Sequence, residues 1–167
     1  MRFFRKIGIA LLVCSMTGVA ACDSIDDTRL PYAPVNITFA NAGMWNTYGI
    51  GGALDTRAFI LTPTSREPAN FPYTASSATG FGGVLLVGDY YGNPVAYDMA
   101  CPVECRSDVR VYVDTESQTA ECPKCHSTYA IYENFGHPLS GPAAENGYGL
   151  QRYKVMQGAG NYYAITR

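Results

Sequence analysis

Charge is scarce in this chain: Asp, Glu, Lys and Arg make up only 16% of its 167 residues. What charge there is does not gather into a basic surface. Three of the 12 cationic residues, Arg2, Arg5 and Lys6, sit in the first six positions, and all 14 acids lie at or beyond Asp23. From Cys22 onward 9 basic groups face 14 acidic ones, about −5 in net charge, which excludes the cationic face that a nucleic-acid partner requires. Beyond residue 21 no apolar 3.6-residue periodicity runs longer than two turns, so a helical architecture is excluded as well. There is no internal repeat, no Gly-rich phosphate loop and no Ser-His-Asp order, and the whole chain has only 2 His. With no catalytic constellation legible, the enzyme question leans to no and stays open, with a part in electron transfer as the most that is expected. Apolar residues, by contrast, are plentiful at 47%, which excludes disorder. A chain of this length removes roughly 70% of its unfolded surface from water. It is at most one ordinary domain and needs no cross-link to fold, so its 6 cysteines call for another explanation.

The first 21 residues form a basic stretch from Arg2 to Lys6, an apolar run from Ile7 to Val13, and small residues ending in Val19-Ala20-Ala21-Cys22. That is too short for a membrane span and has the order of a signal segment. The terminal tetrapeptide resembles the lipobox of bacterial lipoproteins. The resemblance implies that residues 1–21 are a signal peptide removed together with Cys14, and that Cys22 is lipidated and becomes the mature N-terminus. Two or three acyl chains hold far better than one, so the expected place is the bacterial cell envelope, anchored in a lipid bilayer, with inner and outer membrane both open. Residues 22–30 are expected to be a lipidated tether within a polar, acidic, Pro-containing stretch that reaches Pro34. Residues 31–167 are expected to be one β domain.

Short runs of β-branched and aromatic residues fill that domain: Val35–Phe39, Ala58–Leu61, Val84–Val87, Val95–Tyr97, Val109–Val113, Thr128–Tyr132, Gln151–Val155 and Tyr162–Ile165. Gly, Pro, Asn and Asp punctuate them, which predicts strands and turns. Tyr90-Tyr91-Gly92-Asn93-Pro94 predicts a hairpin with Gly92 or Asn93 at positive φ, and Gly136 a second. The stretch from Pro63 to Gly83 reads as a long surface loop. The 13 Tyr read as amphipathic packing.

Four cysteines of the domain stand as Cys101-Pro-Val-Glu-Cys105 and Cys122-Pro-Lys-Cys125-His126, separated by sixteen residues that read as a strand, a turn at Asp114–Ser117 and a return. Two short loops on adjacent hairpins can converge on one tetrahedral point, as thiolate sites of the rubredoxin and zinc-ribbon type do. In an exported protein two disulfides are the competing reading. Cys122-Pro-Lys-Cys125 also has the spacing of thiol oxidoreductases, but a strand rather than a helix N-terminus follows it. Glu104 and Glu121 disfavour neighbouring thiolates and read as solvated loop charges. His126 is a possible extra ligand or an exposed loop residue, and His137 an exposed turn residue.

From Gly82 to Ile165 the order of features resembles a Rieske domain. The carriers are Val84-Leu85-Leu86-Val87, a Gly-containing hairpin, Val95-Ala96-Tyr97-Asp98, the two Cys-Pro loops, Ser127-Thr128-Tyr129, and Ser140-Gly141-Pro142-Ala143 followed by Leu150-Gln151-Arg152-Tyr153. The resemblance implies an all-β, Rieske-like antiparallel β-sandwich with Cys101 and Cys122 as ligands. It further implies that Ser127 and Tyr129 donate hydrogen bonds to the centre, and that a loop with Gly141 and Pro142 closes over it. The family's ligand set departs here, because Val103 and Cys125 occupy the two His positions and His126 falls one place too far along. Rieske centres need two Cys on one iron and two His on the other. The set left is Cys101, Cys105, Cys122 and Cys125, which suits structural zinc, a single iron or a 2Fe-2S cluster for electron transfer. Without a twin-Arg leader the chain is expected to cross the membrane unfolded, which favours zinc or disulfides over a cluster built in the cytoplasm. The alternative function is a non-enzymatic envelope interaction module, its Cys loops stapled by disulfides and its Asn41–Gly83 insertion facing an envelope protein. A redox partner is the counterpart in the iron case.

Overall fold

The computed structural model describes residues 24–159 and 162–167. The leader and Cys22 lie outside the described residues. Eight strands form one antiparallel sheet: β1 (Val35–Phe39), β2 (Thr56–Leu61), β3 (Arg66–Glu67), β4 (Ala78–Thr79), β5 (Val84–Gly88), β6 (Pro94–Asp98), β11 (Arg152–Gln157) and β12 (Tyr163–Thr166), in the order β3-β2-β5-β6-β11-β12-β1-β4. A second antiparallel sheet of four strands, in the order β10-β9-β8-β7, consists of β7 (Tyr112–Asp114), β8 (Thr119–Glu121), β9 (Thr128–Ala130) and β10 (His137–Ser140). Among the described residues the α-helices, α1 (Ala42–Tyr48) and α2 (Gly141–Asn146), are short, and a single 3-10 turn spans Asn134–Gly136. The chain is thus mostly β, and no helix among the described residues is long and apolar enough to cross a membrane.

The central strand β5 explains how the layers stack. All five of its residues are buried, because both faces are covered, and a strand covered on both faces reads as a continuous apolar run. Val84 and Leu86 point into one core with Ile37, Phe39, Phe59, Ala96 and Ile165. Leu85 and Val87, one register step away, point into the other with Tyr97, Val111, Ala120, Tyr129 and Ile131, beneath the small sheet. The large sheet curls around the first core until its ends approach, and the Leu61 amide of β2 donates to Thr79 Oγ1 of β4 at 3.1 Å. Helix α1 packs onto that core. Its N-cap Asn41 accepts from the Met44 amide at 3.0 Å, a standard way to satisfy a first-turn donor, and Trp45 stacks on Tyr163 with ring centroids 3.8 Å apart.

The hairpin read from Tyr90–Pro94 joins β5 to β6, and Gly92 takes the positive φ, 82°. Gly136, at φ 82°, precedes the antiparallel return of β10 on β9. The stretch from Pro63 to Gly83 holds more than a surface loop. It supplies the edge strands β3 and β4 and sends Phe71 inside, 3% exposed, edge-on to Phe39, Phe59 and Tyr48. Residues 24–30, expected as tether, are bonded along the domain. The Asp26 amide donates to Gly147 O at 2.8 Å, Asp26 O accepts from the Gly149 amide at 3.0 Å, and Leu30 is buried. Arg29 lies 4.0 Å over the Tyr148 ring and donates from Nε to Pro102 O at 2.7 Å.

Phe71 is therefore a core residue delivered by a loop. Phe71→Ala is expected to cost ~3–5 kcal/mol, as large aromatic truncations in cores do. Tyr91→Ala, at a residue 91% exposed, is expected to change stability by less than about 0.5 kcal/mol. Urea midpoints of the two variants check both.

Candidate metal centre

The first cysteine loop begins where β6 ends, at a fully buried Asp98. Its carboxylate accepts the amides of Ala100 at 2.7 Å, Phe81 at 2.8 Å and Gly82 at 2.9 Å, and the hydroxyl of Tyr153. Burial pushes this carboxyl above its usual range in spite of the four donors. The Phe81–Gly82 turn is pulled so close that a Cβ on Gly82 would lie 2.5 Å from the Ala100 nitrogen. Cys101 follows at once, its amide bonded to Val109 O at 3.0 Å. The second loop joins β8 to β9, with the Cys122 amide bonded to Ser127 O at 3.0 Å. The two loops share three features. Each has Pro directly after its leading Cys, an amide four residues on that donates to that Cys carbonyl (Cys105 to Cys101 at 2.9 Å, His126 to Cys122 at 3.0 Å), and a left-handed residue there, φ 49° at Cys105 and 55° at His126.

Folding brings three of the four expected ligands together. The sulfurs of Cys101, Cys122 and Cys125 all lie within 4.8 Å of one another, and those of Cys101 and Cys125 are 3.6 Å apart. Cys101 and Cys122 are buried and Cys125 is half-buried; none is in a disulfide. Cys105 stands outside this group, and its thiol turns back to donate to Pro102 O at 3.1 Å. Three of the four expected thiols thus form the group: a spacing of four rather than three residues puts Cys105 at the left-handed position, where its side chain turns to Pro102 O. His126, in the matching position, is 74% exposed with Nδ1 at 3.0 Å from Glu121 Oε1, so it also stays out of the group. His137 is exposed at the start of β10.

The residues expected around the centre are at hand. Tyr129, fully buried, has its hydroxyl 3.6 Å from Cys101 Sγ. Ser127 Oγ is 3.2 Å from Cys125 Sγ and accepts the Ala143 amide at 3.1 Å, so the hydroxyl hydrogen is free to turn to the sulfur once it is ionised. Gly141 (φ 70°) lies over Ser127, where a Cβ would be 3.0 Å from Ser127 Oγ. Pro142 occupies the first turn of α2. Two contacts had no sequence signal, because they join segments far apart in the chain. Arg29 reaches the first loop through Pro102, and Lys124 Nζ of the second loop pairs with Glu104 of the first, whose side chain is only 14% exposed. Glu104 is not the solvated charge its loop position suggested.

Burial pushes the Cys101 thiol up to about 12, although the amides of Glu104 and Val103 and the Tyr129 hydroxyl favour its thiolate. Burial also acts to raise Cys125. There the Ser127 hydroxyl and amide and the neighbouring Cys122 and Cys101 thiols outweigh it, and the net shift is downward. Three soft donors around one point suit zinc or iron in tetrahedral coordination. Sulfurs on one such ion at roughly 2.3 Å stand ~3.8 Å apart, near the separation found for Cys101 and Cys125. The residues present therefore fit a single ion.

In the metal-free protein the Cys101 thiol stays neutral in the folded state up to about pH 12, whereas an ordinary thiol ionises near 9. Its stabilising share is complete below pH 9 and is lost as pH rises from 9 toward 12. Urea midpoints are expected to fall over that window, and less steeply in Cys101→Ala. Cys125 is expected to be alkylated ahead of Cys101 and Cys122 at neutral pH, and Ser127→Ala to slow it, as read by mass spectrometry. No family model, curated protein or solved structure matches the chain, which leaves the chemistry of the three thiols as the guide to what this site does.

Proposed function

We propose that the chain is a membrane-anchored lipoprotein of Rieske-like architecture in which Cys101, Cys122 and Cys125 hold one zinc ion as a structural clasp between two loops. The observation that carries this reading is the meeting of three thiols from two loops within 4.8 Å, two of them fully buried. The architectural part is supported by a small sheet that carries both Cys-Pro loops and by the Ser140–Ala143 segment lying over Ser127. Zinc, when bound, supplies the positive charge that lets buried sulfurs ionise and adds its binding energy to folding. The chain's own residues then have defined tasks. Tyr129 directs its hydroxyl at the Cys101 sulfur and Ser127 at the Cys125 sulfur, so that two of the thiolates have a donor besides the ion. Binding releases protons from thiols, and affinity falls as pH falls. The same Tyr129 contact favours the second reading, iron in electron transfer, since hydrogen bonds to ligand sulfurs tune reduction potential.

Elemental analysis of protein extracted without oxygen from its native membrane tests the assignment. One zinc per chain is expected. Iron with visible absorption replaces the clasp by an electron-transfer centre, and a metal-free chain with oxidised cysteines overturns both in favour of a stapled interaction module. Anchoring is tested separately: mass spectrometry of the N-terminal peptide is expected to find acyl chains on Cys22, and an unmodified Cys22 overturns that part.

A further inference from the structure

Taking Cys101, Cys122 and Cys125 as ligands of one ion, as proposed above, we infer that the fourth protein ligand is the carboxylate of Glu104 and not the thiol of Cys105. The two loops correspond residue by residue. Aligned on their leading cysteines, Pro102 matches Pro123, Val103 matches Lys124, Glu104 matches Cys125, and Cys105 matches His126. The correspondence holds in the backbone, through the i to i+4 amide–carbonyl bond and the left-handed residue that closes each turn. At the closing position both side chains leave the centre, His126 to Glu121 and Cys105 to Pro102 O. One residue earlier, the second loop presents the Cys125 sulfur 3.6 Å from that of Cys101. The residue that the first loop presents at that same step is Glu104.

Three further observations agree. The Glu104 side chain is 14% exposed although it sits on a turn, and it reaches across to the opposite loop, where Lys124 holds Oε2. Glu104 stands inside the turn that the Cys105 amide closes on the Cys101 carbonyl at 2.9 Å, so its backbone belongs to the loop of one of the three thiols. A carboxylate has two oxygens, and Lys124 engages one of them, which leaves Oε1 for the ion. Carboxylate oxygens join sulfur in zinc coordination at ~2.0–2.2 Å. Glu104 lies outside the group whose donor atoms are all within 4.8 Å of one another, so ligation requires its carboxylate to move toward the three sulfurs. With Lys124 alongside, three thiolates and a carboxylate are partly balanced by an ammonium, which lowers the cost of concentrating negative charge on one ion.

The test uses the full mature chain titrated with cobalt(II), which reports sulfur ligation through thiolate-to-metal charge-transfer absorption, with affinity measured by chelator competition. Wild type and Cys105→Ser are expected to bind one equivalent with equal affinity and equal charge-transfer intensity. Glu104→Gln is expected to lose at least ~10-fold in affinity, the lower end of what even outer partners contribute, with its thiolate bands retained. Glu104→Cys is expected to raise the charge-transfer intensity from three thiolates to four. Undiminished affinity in Glu104→Gln, or weakened affinity and absorption in Cys105→Ser, overturns the assignment of Glu104 and leaves the metal site standing. Failure of wild type to take up cobalt overturns the metal reading itself. If Glu104→Gln does not fold without metal, the intensity in Glu104→Cys decides, and an unchanged value overturns the inference.

Discussion

The Asp98 carboxylate is the constraint from which the site is built. It is wholly buried, yet it gathers three backbone amides and a tyrosine hydroxyl from three separate places: the turn before β5, the start of the first cysteine loop, and β11. A buried amide without a partner costs about 1–3 kcal/mol, so a side chain that satisfies three at once leaves the chain little freedom in how it departs from β6. That departure fixes Cys101. The second loop is set differently, by the short return of β8 onto β9 and the bond from the Cys122 amide to Ser127 O. The centre forms because the sheet that carries the second loop packs over the strand that launches the first.

The parts of this arrangement that depend on neighbours in sequence could be read from the sequence. The apolar run Val84-Leu85-Leu86-Val87 declares a strand covered on both sides, and Gly92 declares its hairpin. The Cys-Pro pairs declare two turns that face one point. Phe71 could not be read in this way, because a single aromatic flanked by Asn70 and Pro72 has no periodicity, and its burial is decided by Phe39 and Phe59, each in a strand elsewhere. The docking of residues 24–30 was hidden for a similar reason, since it uses backbone groups of Asp26 whose partners, Gly147 and Gly149, lie more than a hundred residues on.

At the site the missed distinction lay in one residue of spacing. Counting cysteines assigns Cys101, Cys105, Cys122 and Cys125 equal roles. Turn geometry does not, because the fourth residue after each leading Cys must adopt a left-handed conformation to close the loop, and a side chain on that residue turns outward. Non-glycine residues accept that conformation at roughly 1–2 kcal/mol, and both loops accept it. The difference between three and four intervening bonds was in the sequence all along, but only the conformation of the turn gives it meaning.

The docked N-terminal segment also determines how the domain bears mechanical load. A pull transmitted through the chain ahead of Ser24 meets the two Asp26 backbone bonds and the Arg29 bond to Pro102 before it reaches any strand of the large sheet. Those contacts end on the turn after α2 and on the first cysteine loop. Tension applied at that end is delivered first to that turn and that loop.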